Sequence, residues 1–202
     1  MWDWSKNQIE IIFLRHGMTI ENEQHRYLGN TDTSLSRNGI CKLQALQKNG
    51  TYPKTDILFC SPMKRCTETA EILYPNHTPI YIPEWREMDF GEFEGKNYIE
   101  LQKNPNYQAW IDSGGTLAFP SGESRAAFLQ RCCQALEQAL QRQQHQTVAA
   151  VVHGGTIMAV LSALEEQQKP YFSWQAGHCE PILCTVTGTE PLRLLQQLTE
   201  RS

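Results

Sequence analysis

Two continuous apolar runs, Ile11-Ile12-Phe13-Leu14 and Val148-Ala149-Ala150-Val151-Val152, stop abruptly at polar residues. The first ends in Arg15-His16-Gly17 and the second in His153-Gly154-Gly155. A strand buried on both faces reads as an unbroken apolar run, and in an open α/β sheet ligands bind at the carboxyl edge of such strands. The pattern therefore predicts two parallel strands that each deliver an imidazole to the same edge. Shorter runs at Asp56 to Cys60 and Ile80 to Ile82 predict two more strands. Cys179 to Thr187 and Leu192 to Leu198 predict closing strands, antiparallel at the edge of the sheet.

Between the strands the period changes to that of helices. Ser36 caps a segment in which Ile40, Leu43 and Leu46 recur at helical spacing and Gly50 ends it. Ser61-Pro62 reads as an N-cap with a first-turn proline, and Met63, Cys66, Ala70 and Leu73 form the buried stripe that follows. Ser121 to about Gln144 predicts the longest helix, with Leu129, Cys132, Cys133, Leu136 and Leu140 inward. Gly154-Gly155 opens another helix, bearing Ile157, Val160, Leu161 and Leu164. Glu21 to Ser34 reads as a long polar loop over the sheet edge. From Lys96 to Pro120, Tyr98, Leu101, Tyr107, Trp110 and Phe119 are scattered among polar residues, which predicts a small cap of short helices and loop. Its aromatics either pack on the body or line a substrate entrance. The whole is expected to be an α/β fold, a three-layer α-β-α sandwich with a mostly parallel central sheet, forming a single domain over residues 1–202.

Composition narrows the partners. Hydrophobic residues at 40% and charged residues at 20% are ordinary globular values, which sets aside disorder and coiled coil. A net charge of −4 argues against nucleic acid or an anionic membrane as the main partner, so basic residues gathered for an anion must be local. Seven cysteines with no C-x-x-C spacing read as reduced thiols of a cytosolic protein. Met1-Trp2-Asp3-Trp4 lacks the pattern of a signal peptide, and no apolar run is long enough to span a bilayer. A cytoplasmic location is expected.

The candidates for chemistry are Arg15, His16, Arg65, Glu87 and His153. Four follow apolar strands, and Arg65 stands in the first turn of a helix, where an arginine beside free backbone N–H groups suits a phosphate. Lys64, next to it, reads as solvated. Glu87 lies in an acidic run that would by default be a solvated face, but its position just past a strand end makes it a candidate acid. Phosphoryl transfer needs a nucleophile in line with the leaving oxygen, cations on the equatorial oxygens and a proton donor. His16 can attack phosphorus, Arg15, Arg65 and His153 can hold the oxygens, and Glu87 can protonate the departing alkoxide. Backbone amides at Gly154 can also face the anion.

The motifs resemble those of the histidine phosphatase superfamily, the phosphoglycerate mutase-like group. Arg15-His16-Gly17-Met18-Thr19 with Asn22 is similar to R-H-G-x-T-x-x-N, and Gly29, Asp32, Leu35 and Gly39 fall at the pattern that follows it. Ser61 to Ala70 resembles S-P-x-x-R-x-x-x-T-A, Glu87 to Gly95 resembles E-x-x-F-G-x-x-E-G, and His153-Gly154 resembles the second histidine. The resemblance runs from Ile11 to about Val186 and implies a phosphoglycerate mutase-like fold. It also implies His16 as nucleophile, Glu87 as acid, and Arg15, Asn22, Arg65 and His153 on phosphate, with no metal and no cofactor. Met18, Ser34 and Cys66 depart from the usual acidic residue, proline and alanine. The short 96–120 segment favours a phosphatase over a mutase, and residues 87–95 look most like the α-ribazole phosphatase group of cobalamin nucleotide-loop assembly. The expected partner is a small phosphorylated metabolite. A broad-specificity phosphatase, a phosphoglycerate mutase and a non-catalytic phosphate-binding module are the alternatives. A zinc site of His153, His178, Cys179 and Cys184 has no recognised ligand spacing, so core or loop positions are expected for the last three. A cysteine phosphatase centred on Cys60 fails because four residues, not five, separate it from Arg65.

Overall fold

A computed structural model describes residues 8–50, 52–141, 147–165, 169–187 and 193–198. Six strands, β1 (Gln8–Arg15), β2 (Ile57–Cys60), β3 (Ile80–Tyr81), β4 (Thr147–Val152), β5 (Pro181–Thr187) and β6 (Arg193–Leu198), form one sheet in the order β3-β2-β4-β1-β5-β6. β1, β2, β3 and β4 run parallel, and β5 pairs antiparallel with both β1 and β6. The predicted strands are all present. Residues 179–180 precede β5 rather than open it, and Leu192 lies outside the described residues.

Alternation along the central strands sorts the core into two layers. Ile11 and Phe13 of β1 and Val148, Ala150 and Val152 of β4 face one side of the sheet. There they meet Phe128, Cys132, Leu136 and Leu140 of α6 (Arg125–Gln141) and Ile157, Val160 and Leu161 of α7 (Gly154–Leu164). Ile12, Leu14, Ala149 and Val151 face the other side, against Leu43 of α2 (Arg37–Lys48) and Cys66, Ala70 and Leu73 of α3 (Lys64–Leu73). The result is the expected α-β-α sandwich. The cap holds α4 (Tyr98–Leu101) and α5 (Pro105–Asp112), and a further short helix, α1 (Ile20–Glu23), interrupts the loop expected from Glu21 to Ser34. Thr19 and Asn22 close a reciprocal capping box on α1.

Four helical details correct the sequence reading. The helix after β2 starts at Lys64, with Met63 at the N-cap and no side-chain cap from Ser61. Ser61 is engaged elsewhere, and the Lys64 N–H donates instead to Asp32 Oδ1, 2.7 Å away. The α6 stripe is rotated: Phe128, Ala135 and Ala139 are buried, whereas Leu129 and Cys133 are only half-buried. That helix begins at Arg125 and not Ser121, because Ser121 has φ 57° and belongs to a turn. Finally, Ile40 and Leu46 of α2 are half-buried and Leu43 alone of the three is fully buried.

All seven cysteines are free. Among the described residues no helix is long and apolar enough to cross a membrane.

Phe13 is fully buried at the centre of the α6/α7 layer. Phe13→Ala is expected to cost about 3–5 kcal/mol of unfolding free energy in urea titrations. Gln44→Ala on the exposed face of α2 should stay within about 0.5 kcal/mol.

Candidate active site

The strand register brings the site together. Arg15 stands opposite Val152, and Cys60 opposite Val151. The next residues, His16, His153 and Ser61, therefore leave the sheet side by side. The His16 N–H donates to Val152 O at 3.0 Å, and the rings of His16 and His153 lie edge to face with centroids 5.2 Å apart.

His16 is held in one orientation. Its Nδ1 lies 2.7 Å from Gly17 O, and a carbonyl only accepts, so Nδ1 carries the proton and Nε2 carries a lone pair. Burial, with Arg65, His178 and Arg15 nearby, pushes the His16 pKa well below its ordinary value, so the ring is neutral at pH 7. His153 is likewise depressed by burial and the same arginines. Arg65 Nε donates to His153 Nδ1 at 3.3 Å, which leaves the proton on Nε2, and Nε2 donates to Ser61 Oγ at 2.8 Å.

Arg65 is fully buried. Nη1 and Nη2 donate to Thr31 O and Gly29 O, both at 2.9 Å. The loop offering those carbonyls is fixed through its own N–H groups: Glu94 accepts from Gly29 N at 2.9 Å and from Thr31 N at 3.0 Å. A side chain at Gly29 would collide with the Met88 carbonyl, since its Cβ would lie 2.0 Å from that oxygen. Lys64 is exposed, as expected. Arg15 donates to Ala176 O at 2.9 Å, and its buried Nε has no partner.

Glu87 completes the cluster from a different segment. Met88 N–H donates to Oε1 at 2.9 Å and Gly155 N–H to Oε2 at 3.1 Å. Burial raises its pKa, against the opposing pull of those two amides and of Arg65 and Arg15. Gly155 must be glycine for this contact, because its Cβ would lie 2.1 Å from Oε1.

Arg15, His16, Asn22, Glu87 and Gly154 line one cavity of about 600 Å³. Arg65 and His153 lie beneath its floor, both with no exposed surface. Asn22 keeps its Oδ1 on Thr19 N, 3.2 Å away. The outer wall is aromatic: Tyr27, Phe90, Trp110, Phe119, Tyr171 and Phe172. The cap aromatics thus do both things expected of them. Phe119 packs edge to face on Phe93 of the body, 5.6 Å between centroids, and with Trp110 it also faces the cavity.

Sequence reasoning missed His178. Its Nδ1–H donates to His16 O at 2.9 Å, its ring lies 5.3 Å from that of His16, and it lines the cavity. Burial and Arg15 bring its pKa down to about 4. The signal available was register: β5 runs antiparallel to β1 with Pro181 opposite Leu14, so residues just before β5 flank Arg15 and His16. Cys179 N–H accordingly donates to Arg15 O at 3.1 Å. Among the described residues no three His, Cys, Asp or Glu side chains are arranged to hold a metal ion, the set of the zinc alternative included.

The constellation can therefore attack an electrophilic phosphorus with a neutral imidazole, hold its oxygens with buried cations and deliver a proton from a carboxyl group. Comparison with known proteins agrees with this chemistry. Residues 11–193 match the model of the histidine phosphatase superfamily, branch 1. The adenosylcobalamin/α-ribazole phosphatase of Escherichia coli K12 is 30% identical over 155 residues, covering 75% of this chain and 76% of that protein. Phosphoserine phosphatase 1 of Hydrogenobacter thermophilus is 30% identical over 161 residues, covering 77% and 76%. The crystal structure of a putative α-ribazole-5'-P phosphatase from E. coli K-12 superposes with a TM-score of 0.84 at 24% identity, covering 97% and 98%, and shares the fold.

Three imidazoles held neutral in the fold make stability pH-dependent. His16, His153 and His178 have folded pKa values below the 6.5 of the unfolded chain, so the unfolded chain binds more protons as the pH falls. Glu87, raised, works in the opposite sense only where it takes up its own proton. The melting temperature is expected to fall between about pH 7.5 and about pH 5. Calorimetry in phosphate-free buffer checks this.

Proposed function

Because the chain belongs to the histidine phosphatase superfamily and is a phosphatase, we propose that it hydrolyses a phosphomonoester through a phosphohistidine on His16 Nε2, with α-ribazole 5'-phosphate as substrate. The observation that carries the mechanism is the Nδ1–H bond to Gly17 O, which fixes the ring and leaves Nε2 as the nucleophile. The Nε2–phosphorus bond forms as the ester P–O bond breaks. The leaving alkoxide takes a proton from the Glu87 carboxyl group, which its burial keeps available. Glu87, now a carboxylate, removes a proton from water as that water attacks phosphorus, and the N–P bond breaks to regenerate His16. Arg15 and Asn22 meet the phosphoryl oxygens from the cavity wall. Arg65 and His153 meet them from the floor, where His153 exchanges its Ser61 contact for an oxygen. Preorganised donors of this kind stabilise the charge that develops in the transition state.

The aromatic wall supports the substrate. A flat heterocyclic aglycone finds stacking partners in Tyr27, Phe90, Trp110, Phe119 and Tyr171. Phosphoserine, the substrate named for several relatives, would also bring an ammonium group. Glu87 is the one carboxylate among the residues lining the cavity, and it is already bonded to two amides.

In a phosphate-release assay with α-ribazole 5'-phosphate, phosphoserine, 3-phosphoglycerate and p-nitrophenyl phosphate, kcat/KM is expected to be highest for the first. His16→Ala should lose at least about 10³-fold in kcat on every substrate while keeping its circular dichroism spectrum. Full turnover by His16→Ala would sink the mechanism, and preference for phosphoserine would sink the substrate. Release only in the presence of a bisphosphate primer would mark a mutase.

A further inference from the structure

The segment that carries Glu87 has little support from the sheet. It leaves β3, a two-residue edge strand with both side chains exposed, and passes through a 3-10 turn at Pro83–Trp85. Its anchorage comes instead from α6. The fully buried Trp85 donates its indole N–H to Cys132 O at 3.2 Å. Arg131, one residue earlier on the helix, donates Nη1 to Glu84 O and to Arg86 O, the latter at 2.9 Å, and Nη2 to Glu87 O at 3.1 Å. One guanidinium thus holds three main-chain carbonyls within four residues.

The guanidinium is itself fixed. Nε and Nη2 each lie 2.8 Å from an oxygen of Glu123, a two-point pairing, and the group sits 4.6 Å above the Phe128 ring. Glu123 belongs to the turn before α6, and its own N–H donates to Asp89 O at 2.9 Å, two residues beyond Glu87. The acid's main chain is therefore gripped on both sides, by Arg131 up to Glu87 and by Glu123 at Asp89. None of these groups lies at the phosphoryl end of the site.

We propose that Arg131, locked by Glu123, is the positioning residue for the general acid, setting where the Glu87 carboxyl stands relative to the leaving oxygen. The planar fork is essential to the role, because a lysine ammonium is a point charge on a flexible stem and does not span three carbonyls while holding a carboxylate at two points. Displacement of the Glu87 main chain moves the carboxyl relative to the leaving oxygen and leaves the nucleophile and the cationic floor in place. The loss therefore falls on substrates whose leaving group needs a proton.

This inference rests on Glu87 acting as the acid, and the experiment separates the two. The slope of log kcat/KM against leaving-group pKa is measured over a series of aryl and alkyl phosphates for wild type, Glu87→Gln, Arg131→Met and Arg131→Lys. Glu87→Gln is expected to steepen the slope, with alkyl esters losing about 10²-fold or more and p-nitrophenyl phosphate far less. Arg131→Met should steepen it in the same direction, by about 10- to 100-fold at the alkyl end, and Arg131→Lys by less. If Arg131→Met fails to fold, Arg131→Lys carries the test. A steepened slope for Glu87→Gln with parallel or unchanged lines for the Arg131 variants overturns the proposal, since a merely structural role lowers all substrates alike. An unchanged slope for Glu87→Gln overturns the reading of the acid instead.

Discussion

Two guanidinium groups, Arg65 fully buried and Arg15 half-buried, stand at the carboxyl edge of the sheet, and among the described residues no carboxylate lies within ion-pair distance of either. Their bonds go to the carbonyls of Ala176, Gly29 and Thr31 and to a ring nitrogen of His153. These dipoles engage the two groups without cancelling their charge, and taking a cation without a counter-charge out of water is costly. Much of the surrounding structure exists to present these carbonyls. Glu94 fixes the loop at Gly29 and Thr31, and the Asp32 carboxylate joins that loop to the start of α3. Burial first, with this positive charge beside it, keeps both imidazoles neutral, which suits His16 to the nucleophilic role proposed for it.

The division of labour between the layers follows from this. Strand ends and the α3 start build the phosphoryl pocket from short, register-determined connections. The aromatic wall draws on several segments, with Tyr27 from the loop after α1, Phe90 from the stretch beyond Glu87, Trp110 and Phe119 from the cap, and Tyr171 and Phe172 from beyond α7. The footing of Glu87 comes from α6 and the turn before it. In the proposed mechanism the sheet edge thus sets the chemistry, and the aromatic wall meets the rest of the substrate.

Sequence patterning revealed the part of this that periodicity encodes. Unbroken apolar runs located β1 and β4 and their histidines, and the helix starts located Arg65. Glu87 was findable because a carboxyl group closely follows a strand. His178 and Arg131 were harder to find, because their partners lie 162 and 44 positions away; His178 precedes its strand where the other histidines follow theirs, and Arg131 stands within a helix. Ser61 was misread as a cap for a related reason: local sequence shows what a serine can bond, and the fold placed His153 within 2.8 Å of it. The rotated stripe of α6 has a simpler origin. Leu129 and Phe128 are adjacent and both apolar, so composition alone does not choose which of them faces the sheet.

A floor built for a phosphoryl dianion has no means of telling an ester from the free ion. In the proposed mechanism Arg15, Arg65 and His153 meet the terminal oxygens, and those oxygens are as available on orthophosphate as on any substrate. Discrimination between the two therefore falls wholly on the aromatic wall. Such a design would carry product inhibition, with inorganic phosphate competing for the floor that the ester uses.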